Sequence, residues 1–138
     1  MNNKIFIDSD IILDFLLDRK PFSDDAEVLF NHFEKNKLTA YSTSVVFSNV
    51  FYILNDINKK KDAVKTLNSL NRIIKILPTT NNAMIKAFTC KLRDFEDSIQ
   101  YETCKENNVD IILTRNSRDF KRGDIKVLTA SEFILINL

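Results

Sequence analysis

A chain of 138 residues with a single glycine, Gly123, has no glycine-rich phosphate loop. Both the dinucleotide-binding and the P-loop kinds need several residues without a Cβ where the backbone approaches the phosphates. That scarcity removes most nucleotide-binding readings. Two cysteines, Cys90 and Cys104, are too few for a disulfide scaffold. Both fall in helical patterns beside apolar neighbours and read as reduced core thiols. The only histidine, His32, lies mid-helix next to Phe33. No Ser-His or Cys-His pair stands out, and its spacing to the cysteines matches no zinc pattern. No uncharged apolar run approaches the ~20 residues a membrane span needs. The opening Met1-Asn2-Asn3-Lys4 leads into a short strand, not a signal-peptide core, so a cytoplasmic protein without a membrane segment is expected. Excess charge of one sign is missing too. Lys plus Arg total 20 against 19 for Asp plus Glu, so net charge argues neither for nor against a nucleic-acid partner.

What is present is ordinary globular usage, 44% hydrophobic and 28% charged, in a length that suits one domain over residues 1–138. Ile5-Phe6-Ile7 is a β-branched and aromatic run, followed by the polar Asp8-Ser9-Asp10 and a helical pattern through Leu17. Ser23 or Asp24 can cap a helix to about Asn36, and residues 38–42 alternate as a strand. A helix from Thr43 to Asn55 follows, then one from Lys59 to about Arg72, and a strand over Ile73–Leu77 stopped by Pro78. Helices over about 82–92 and 94–107 precede a strand at 110–114, a short turn at 116–119 and a strand at 125–128. A terminal helix capped by Thr129 or Ser131 closes the chain. Strands alternating with helices predict a three-layer α/β/α fold around a parallel sheet of four to five strands.

Ligands of open parallel sheets sit outside the carboxyl ends of the strands. The residues there are acidic, amide or hydroxyl: Asp8, Ser9 and Asp10, then Ser42 to Ser44, then Thr114, Arg115, Asn116 and Asp119. Asp94, Glu96 and Asp97 open a helix expected on the same side. Carboxylates gathered this closely raise one another's pKa, which a divalent cation relieves, and oxygen-only donors point to Mg²⁺ or Mn²⁺. Capping is an equally good reading of Asp94 and Asp119. It does not account for Asp8, whose helix is already offered Ser9 and Asp10 as caps.

Three segments carry a resemblance: Ile5-Phe6-Ile7-Asp8-Ser9-Asp10-Ile11-Ile12-Leu13-Asp14, Asp94-Phe95-Glu96-Asp97-Ser98-Ile99-Gln100, and Leu113-Thr114-Arg115-Asn116-Ser117-Arg118-Asp119-Phe120. In order and spacing they resemble the PIN-domain family over essentially the whole chain. The resemblance implies a Mg²⁺- or Mn²⁺-dependent ribonuclease, often the toxin of a toxin–antitoxin pair of the VapC kind, with RNA as substrate, a cognate antitoxin and a homodimer. Asp8 and Asp97 match the family's first and third acidic positions. The second falls on or beside Asn49 and the fourth on Asn116, both amides, with Asp119 three residues beyond; Thr114 matches a hydroxyl position. Amides coordinate without neutralising, so Asp10, Asp94, Glu96 and Asp119 are the residues that could compensate. Arg115, Arg118, Lys121 and Arg122 follow the same strand as candidate phosphate contacts. Two alternatives stay open: a PIN-like binding module that has lost catalysis, and a phosphate-receiving α/β domain, which lacks a lysine after a strand. The phenylalanines of the second and third helices suggest a self-association or antitoxin groove.

Overall fold

Ile5, Phe6 and Ile7 offer no polar face, so the strand they form must be covered on both sides. In the computed structural model, which describes residues 3–57, 62–90, 92, 94–120 and 124–138, that strand, β1 (Lys4–Ile7), is central and these three residues are fully buried. It is followed by α1 (Ser9–Leu16), α2 (Ser23–Glu34), β2 (Thr39–Thr43), α3 (Ser44–Ile57) and α4 (Ala63–Leu70). Then come β3 (Ile74–Leu77), α5 (Asn81–Ala87), α6 (Phe95–Glu106), β4 (Ile111–Leu113), a 3-10 turn (Ser117–Phe120), β5 (Lys126–Leu128) and α7 (Ala130–Asn137).

The sheet runs β3-β2-β1-β4-β5 with every pair parallel. From β1 the chain steps outward to β2 and β3, then returns to β4 and β5 on the other side. With right-handed crossovers that reversal sends the helices of the two halves to opposite faces. α1 to α4 and α7 contact one another, and α5 packs on α6. The result is the expected three-layer fold, with five strands. The strand order reverses at β1, and in sheets of this kind the ligand crevice lies there, outside the carboxyl ends of β1 and β4.

Several boundaries differ from the sequence expectation. α5 stops at Ala87, so Cys90 follows the helix instead of sitting in it. Neither Ser23 nor Asp24 caps α2; Phe22 holds that position without a side-chain bond, and Ser23 is buried in the first turn. α4 is capped by Asp62, and Lys59, Lys60 and Lys61, expected to start it, lie outside the described residues. Thr129 rather than Ser131 caps α7, in a capping box closed by Glu132.

Glycine scarcity has a visible structural answer. Among the described residues, three non-glycine residues take left-handed backbone conformations: Asp18 at φ 49°, Asn36 at φ 57° and Asn108 at φ 57°. Each lies just past a helix end and closes the same paired hydrogen-bond pattern. In α6, Val109 N donates to Cys104 O at 3.0 Å and Asn108 N to Lys105 O at 3.3 Å. In α2, Lys37 N donates to His32 O at 2.9 Å; in α1, Arg19 N donates to Asp14 O at 3.1 Å. These are Schellman terminations, and Asn and Asp are the side chains that tolerate this backbone best after glycine. Replacing Asn108 with Ala is expected to lower stability by about 1 kcal/mol, and replacing it with Gly to leave stability nearly unchanged. Urea unfolding of the two variants measures the difference.

Candidate active site

Asp8 leaves β1 in extended backbone (φ −78°, ψ 163°) and is itself the N-cap of α1, its Oδ1 accepting from Ser9 N at 2.8 Å. The expectation that Ser9 or Asp10 would cap is therefore corrected: backbone geometry, not side-chain preference, assigns the position. Its other oxygen, Oδ2, faces Thr114 Oγ1 at 2.9 Å across the β1–β4 seam. Asp10, in the first turn of α1, presents Oδ2 to the same hydroxyl at 3.2 Å and accepts from Arg115 N at 3.0 Å. Asn116 N donates to Thr114 Oγ1 at 3.2 Å, fixing the hydroxyl from the loop side. A hydroxyl has one proton to give, so Thr114 serves one carboxylate at a time.

The electrostatics follow first from burial. Burial first, then the charge of Asp10 and more weakly that of Glu96, push the Asp8 carboxyl up from 3.8 to about 6, against the opposing bonds from Ser9 and Thr114. Burial likewise raises Asp10, opposed by the Arg115 N–H, the Thr114 hydroxyl and the Arg115 charge. Asp10 Oδ1 is buried with no hydrogen-bond partner. Glu96, whose charge reaches Asp8, stands in the first turn of α6 and accepts from Asn49 Nδ2 of α3 at 2.9 Å. The amide at the expected second acidic position thus holds a carboxylate in place. Behind this cluster, Thr43 Oγ1 at the end of β2 donates to Gln100 Oε1 at 2.6 Å, tying α6 to the sheet.

The remaining sequence candidates are placed as follows. Asp94 caps α6, its Oδ1 accepting from Glu96 N at 2.7 Å, and is exposed. Asp97 is half-buried in the first turn of α6. Asn116 is exposed at the loop after β4, and Asp119 lies in the 3-10 turn with its side chain outside the described residues. Lys121 and Arg122 also lie outside the described residues, and Arg118 is exposed. Arg115, expected as a phosphate contact, is half-buried. Its Nε lies 3.1 Å from Asp14 Oδ2 and its guanidinium carbon 4.1 Å from the centre of the Phe22 ring. Cys104 is fully buried next to this cluster, and burial above all, then the Asp8 charge, raise its thiol pKa; it is an inert core group.

Sequence reading missed Asp14 and Arg19. Asp14 is 1% exposed, and Arg19 Nε meets its Oδ1 at 3.0 Å. The signal was there: a carboxylate inside the apolar run Ile11 to Leu17 must find a cation if it is buried.

Among the described residues, no three His, Cys, Asp or Glu side chains converge closely enough to hold a metal unaided. The Asp8–Asp10 pair nevertheless fits a hard cation. Two adjacent carboxylates, one buried and one half-buried, repel, one oxygen is unsatisfied, and Mg²⁺ is commonly held by one or two carboxylates with waters completing its shell.

The sequence profile described as PIN domain matches residues 4–118. Ribonuclease VapC1 of Aquifex aeolicus (strain VF5) is 28% identical over 137 residues, covering 96% of this chain and 94% of that protein. A toxin–antitoxin complex from Klebsiella pneumoniae superposes with TM-score 0.68 at 16% identity, over 91% of this chain and 97% of the other. Mycobacterium tuberculosis VapC20, a toxin that cleaves the sarcin–ricin loop, superposes with TM-score 0.63 at 12% identity, over 78% and 86%. At these identities the superpositions speak to fold.

A carboxyl whose pKa is higher in the folded state than in the unfolded one stabilises the fold only while protonated. For Asp8 in metal-free protein that contribution is complete below pH ~4 and is lost as pH rises through about 6. The shift corresponds to about 3 kcal/mol. Unfolding free energy measured from pH 4 to 8 is expected to fall across this window, and Asp8→Asn to remove most of the slope. An unchanged slope in that variant would assign it to other groups.

Proposed function

The chain belongs to the PIN-domain family, and from that premise we propose that it is an endoribonuclease that uses Mg²⁺ or Mn²⁺ to cleave RNA phosphodiester bonds. The observation that carries the reading is the pair of carboxylates, buried Asp8 and half-buried Asp10, sharing the Thr114 hydroxyl at the carboxyl edge of the two central strands. Asp8 and Asp10 would hold the cation, with Asp97, Asp94, Asn116 and Asp119 completing the proposed donor set. When bound, the cation supplies a water of lowered pKa and charge stabilisation for the phosphoryl oxygens.

The chain's own residues do the rest. Thr114 orients the carboxylate oxygens by donating to one and accepting from Asn116 N. Asn49 holds Glu96 toward the cleft, where its negative charge adds to the demand for a cation. Exposed Arg118 offers positive charge next to the loop after β4, suited to an RNA phosphate.

The toxin half of a toxin–antitoxin pair is part of the same proposal, supported by the likeness to VapC1 and to the Klebsiella complex. A groove of about 450 Å³ between α1, α2 and α4, lined by Phe15, Leu16, Phe30, Leu70 and Ile73 with Glu34 and Arg72 at its edge, is the surface proposed for the antitoxin. A homodimer is proposed through exposed apolar residues, among them Tyr52 and Ile57 of α3. No described helix is long and apolar enough to cross a membrane, in keeping with the proposed cytoplasmic role.

A second reading, a PIN fold that binds RNA or protein without cutting, is favoured by the amides at Asn49 and Asn116 and by the absence of a three-ligand cluster among the described residues.

Purified protein with Mn²⁺ is expected to cleave single-stranded RNA, chelation to stop it, and Asp8→Asn to lower the rate by at least roughly 100-fold. Equal cleavage by parent and variant would remove the ribonuclease reading. Calorimetry showing no Mn²⁺ binding would favour the module. In light scattering the dimer gives twice the chain mass; a monomer mass at high concentration refutes it.

A further inference from the structure

Asp14 has no part in the chemistry proposed above, yet it is among the most deeply buried charged residues of the described chain, 1% exposed on α1 one turn beyond Asp10. Each of its oxygens has its own arginine: Oδ1 accepts from Arg19 Nε at 3.0 Å, and Oδ2 lies 3.1 Å from Arg115 Nε, a charge contact without hydrogen-bond geometry. Arg19 also donates from Nη2 to Asp10 O at 3.2 Å, so it braces the same turn of α1. A buried ion pair of this kind is commonly no more stabilising than an apolar group of the same shape, because desolvation offsets the attraction. Stability alone therefore does not explain it, and its geometry does. Arg115 is gripped by α1 at two points. Its main-chain N–H is held by Asp10 Oδ2 and its side chain by Asp14, while the Phe22 ring covers the guanidinium from the other side. The residues on either side of Arg115 are Thr114, whose hydroxyl meets Asp8 and Asp10, and Asn116, whose N–H meets that hydroxyl.

We propose that Asp14 is a positioning residue of this site, holding the Thr114–Asn116 loop in register with the Asp8–Asp10 pair through Arg115. Arg115 is then an internal strut and not a phosphate ligand. The effect on turnover rests on the ribonuclease reading; the effect on the loop does not. A cleft that must align donors to within roughly 0.5 Å gains from a loop fixed at side chain and main chain together. Loss of the strut leaves the carboxylates present and the loop displaced, which lowers the rate of the chemical step and leaves substrate affinity largely intact.

The test uses the full chain with Asp14→Asn, Arg115→Gln and the double variant, and reads two quantities. The first is hydrogen exchange of the main-chain amide at position 115 in metal-free protein, with the amides of Phe6 and Ile112 as reporters of the core. The second is kcat and KM for a single-stranded RNA oligonucleotide with Mn²⁺. The expected result is exchange at position 115 faster by roughly 10-fold or more in either single variant, with the core amides unchanged. Alongside it, kcat falls by roughly 10-fold or more, KM stays within about 3-fold, and the double variant is no worse than the poorer single one, as for two residues acting through one contact.

Unchanged exchange at position 115 overturns the proposal. So does a raised KM at constant kcat in Arg115→Gln with Asp14→Asn silent, which would make Arg115 a phosphate contact. Should Asp14→Asn unfold, seen as fast exchange at Phe6 and Ile112, Arg115→Gln breaks the same pair from its more exposed end and decides alone. Should the parent fail to cleave RNA, or Asp8→Asn cleave equally well, the ribonuclease reading falls and the exchange measurement still decides whether Asp14 holds the loop.

Discussion

One hydroxyl proton shared between a buried and a half-buried carboxylate is the constraint around which this molecule is organised. Thr114 can satisfy Asp8 or Asp10 but not both, and Asp10 keeps an oxygen with no partner. Folding therefore leaves negative charge uncompensated in a low-dielectric cleft, an arrangement that costs stability and persists only where the surrounding structure dictates it. Three things dictate it here. The β1–β4 pairing brings Asp8 beside Leu113, with Asp8 N donating to Leu113 O at 3.0 Å. The start of α1 directs Asp8 and Asp10 into the cleft, and the loop after β4 is held down on that helix. The sheet order supplies the first, because only a central β1 can meet β2 on one side and β4 on the other.

The large features were legible because they depend on local pattern. Unbroken apolar runs such as Ile5-Phe6-Ile7 and Ile111-Ile112-Leu113 announce buried parallel strands, and the polar residues directly after them are where such a sheet places its ligands. Asp8 and Thr114 were found on that basis alone. What could not be read is whatever depends on distant partners or on backbone angles. Arg115 was read from its basic sequence neighbours, and its partner Asp14, at the far end of the chain, is invisible to any local window. Asp8 seemed not to be a cap because better-placed caps followed it, but the extended backbone that ends β1 makes it one. Asn49 looked like the loss of a carboxylate, and only the tertiary structure pairs it with Glu96.

The electrostatic layout divides the acidic residues of the cleft region into two kinds. Asp14 faces two guanidinium groups, one of them hydrogen-bonded to it, and behaves as part of the scaffold. Asp8 and Asp10, a turn or so away on the same helix start, are left short of donors, and both have raised pKa values. The contrast comes from what faces each one: arginines for the first, a single hydroxyl and a few main-chain N–H groups for the others. Scarce glycine fits the same economy of means, since Asp18, Asn36 and Asn108 close helices with side chains that can also bond locally.

The distance along the chain between the two sides of the site bears on synthesis. Asp8 and Thr114 are separated by 106 residues, and β4, which carries Thr114, must insert beside β1 before they meet. At roughly 5–20 residues per second, a ribosome needs on the order of 5–20 s to pass from one to the other. Throughout that interval the growing chain carries the acidic start of α1 without its hydroxyl partner. The assembled cleft is thus withheld until β4 has been made, more than a hundred residues after the first carboxylate.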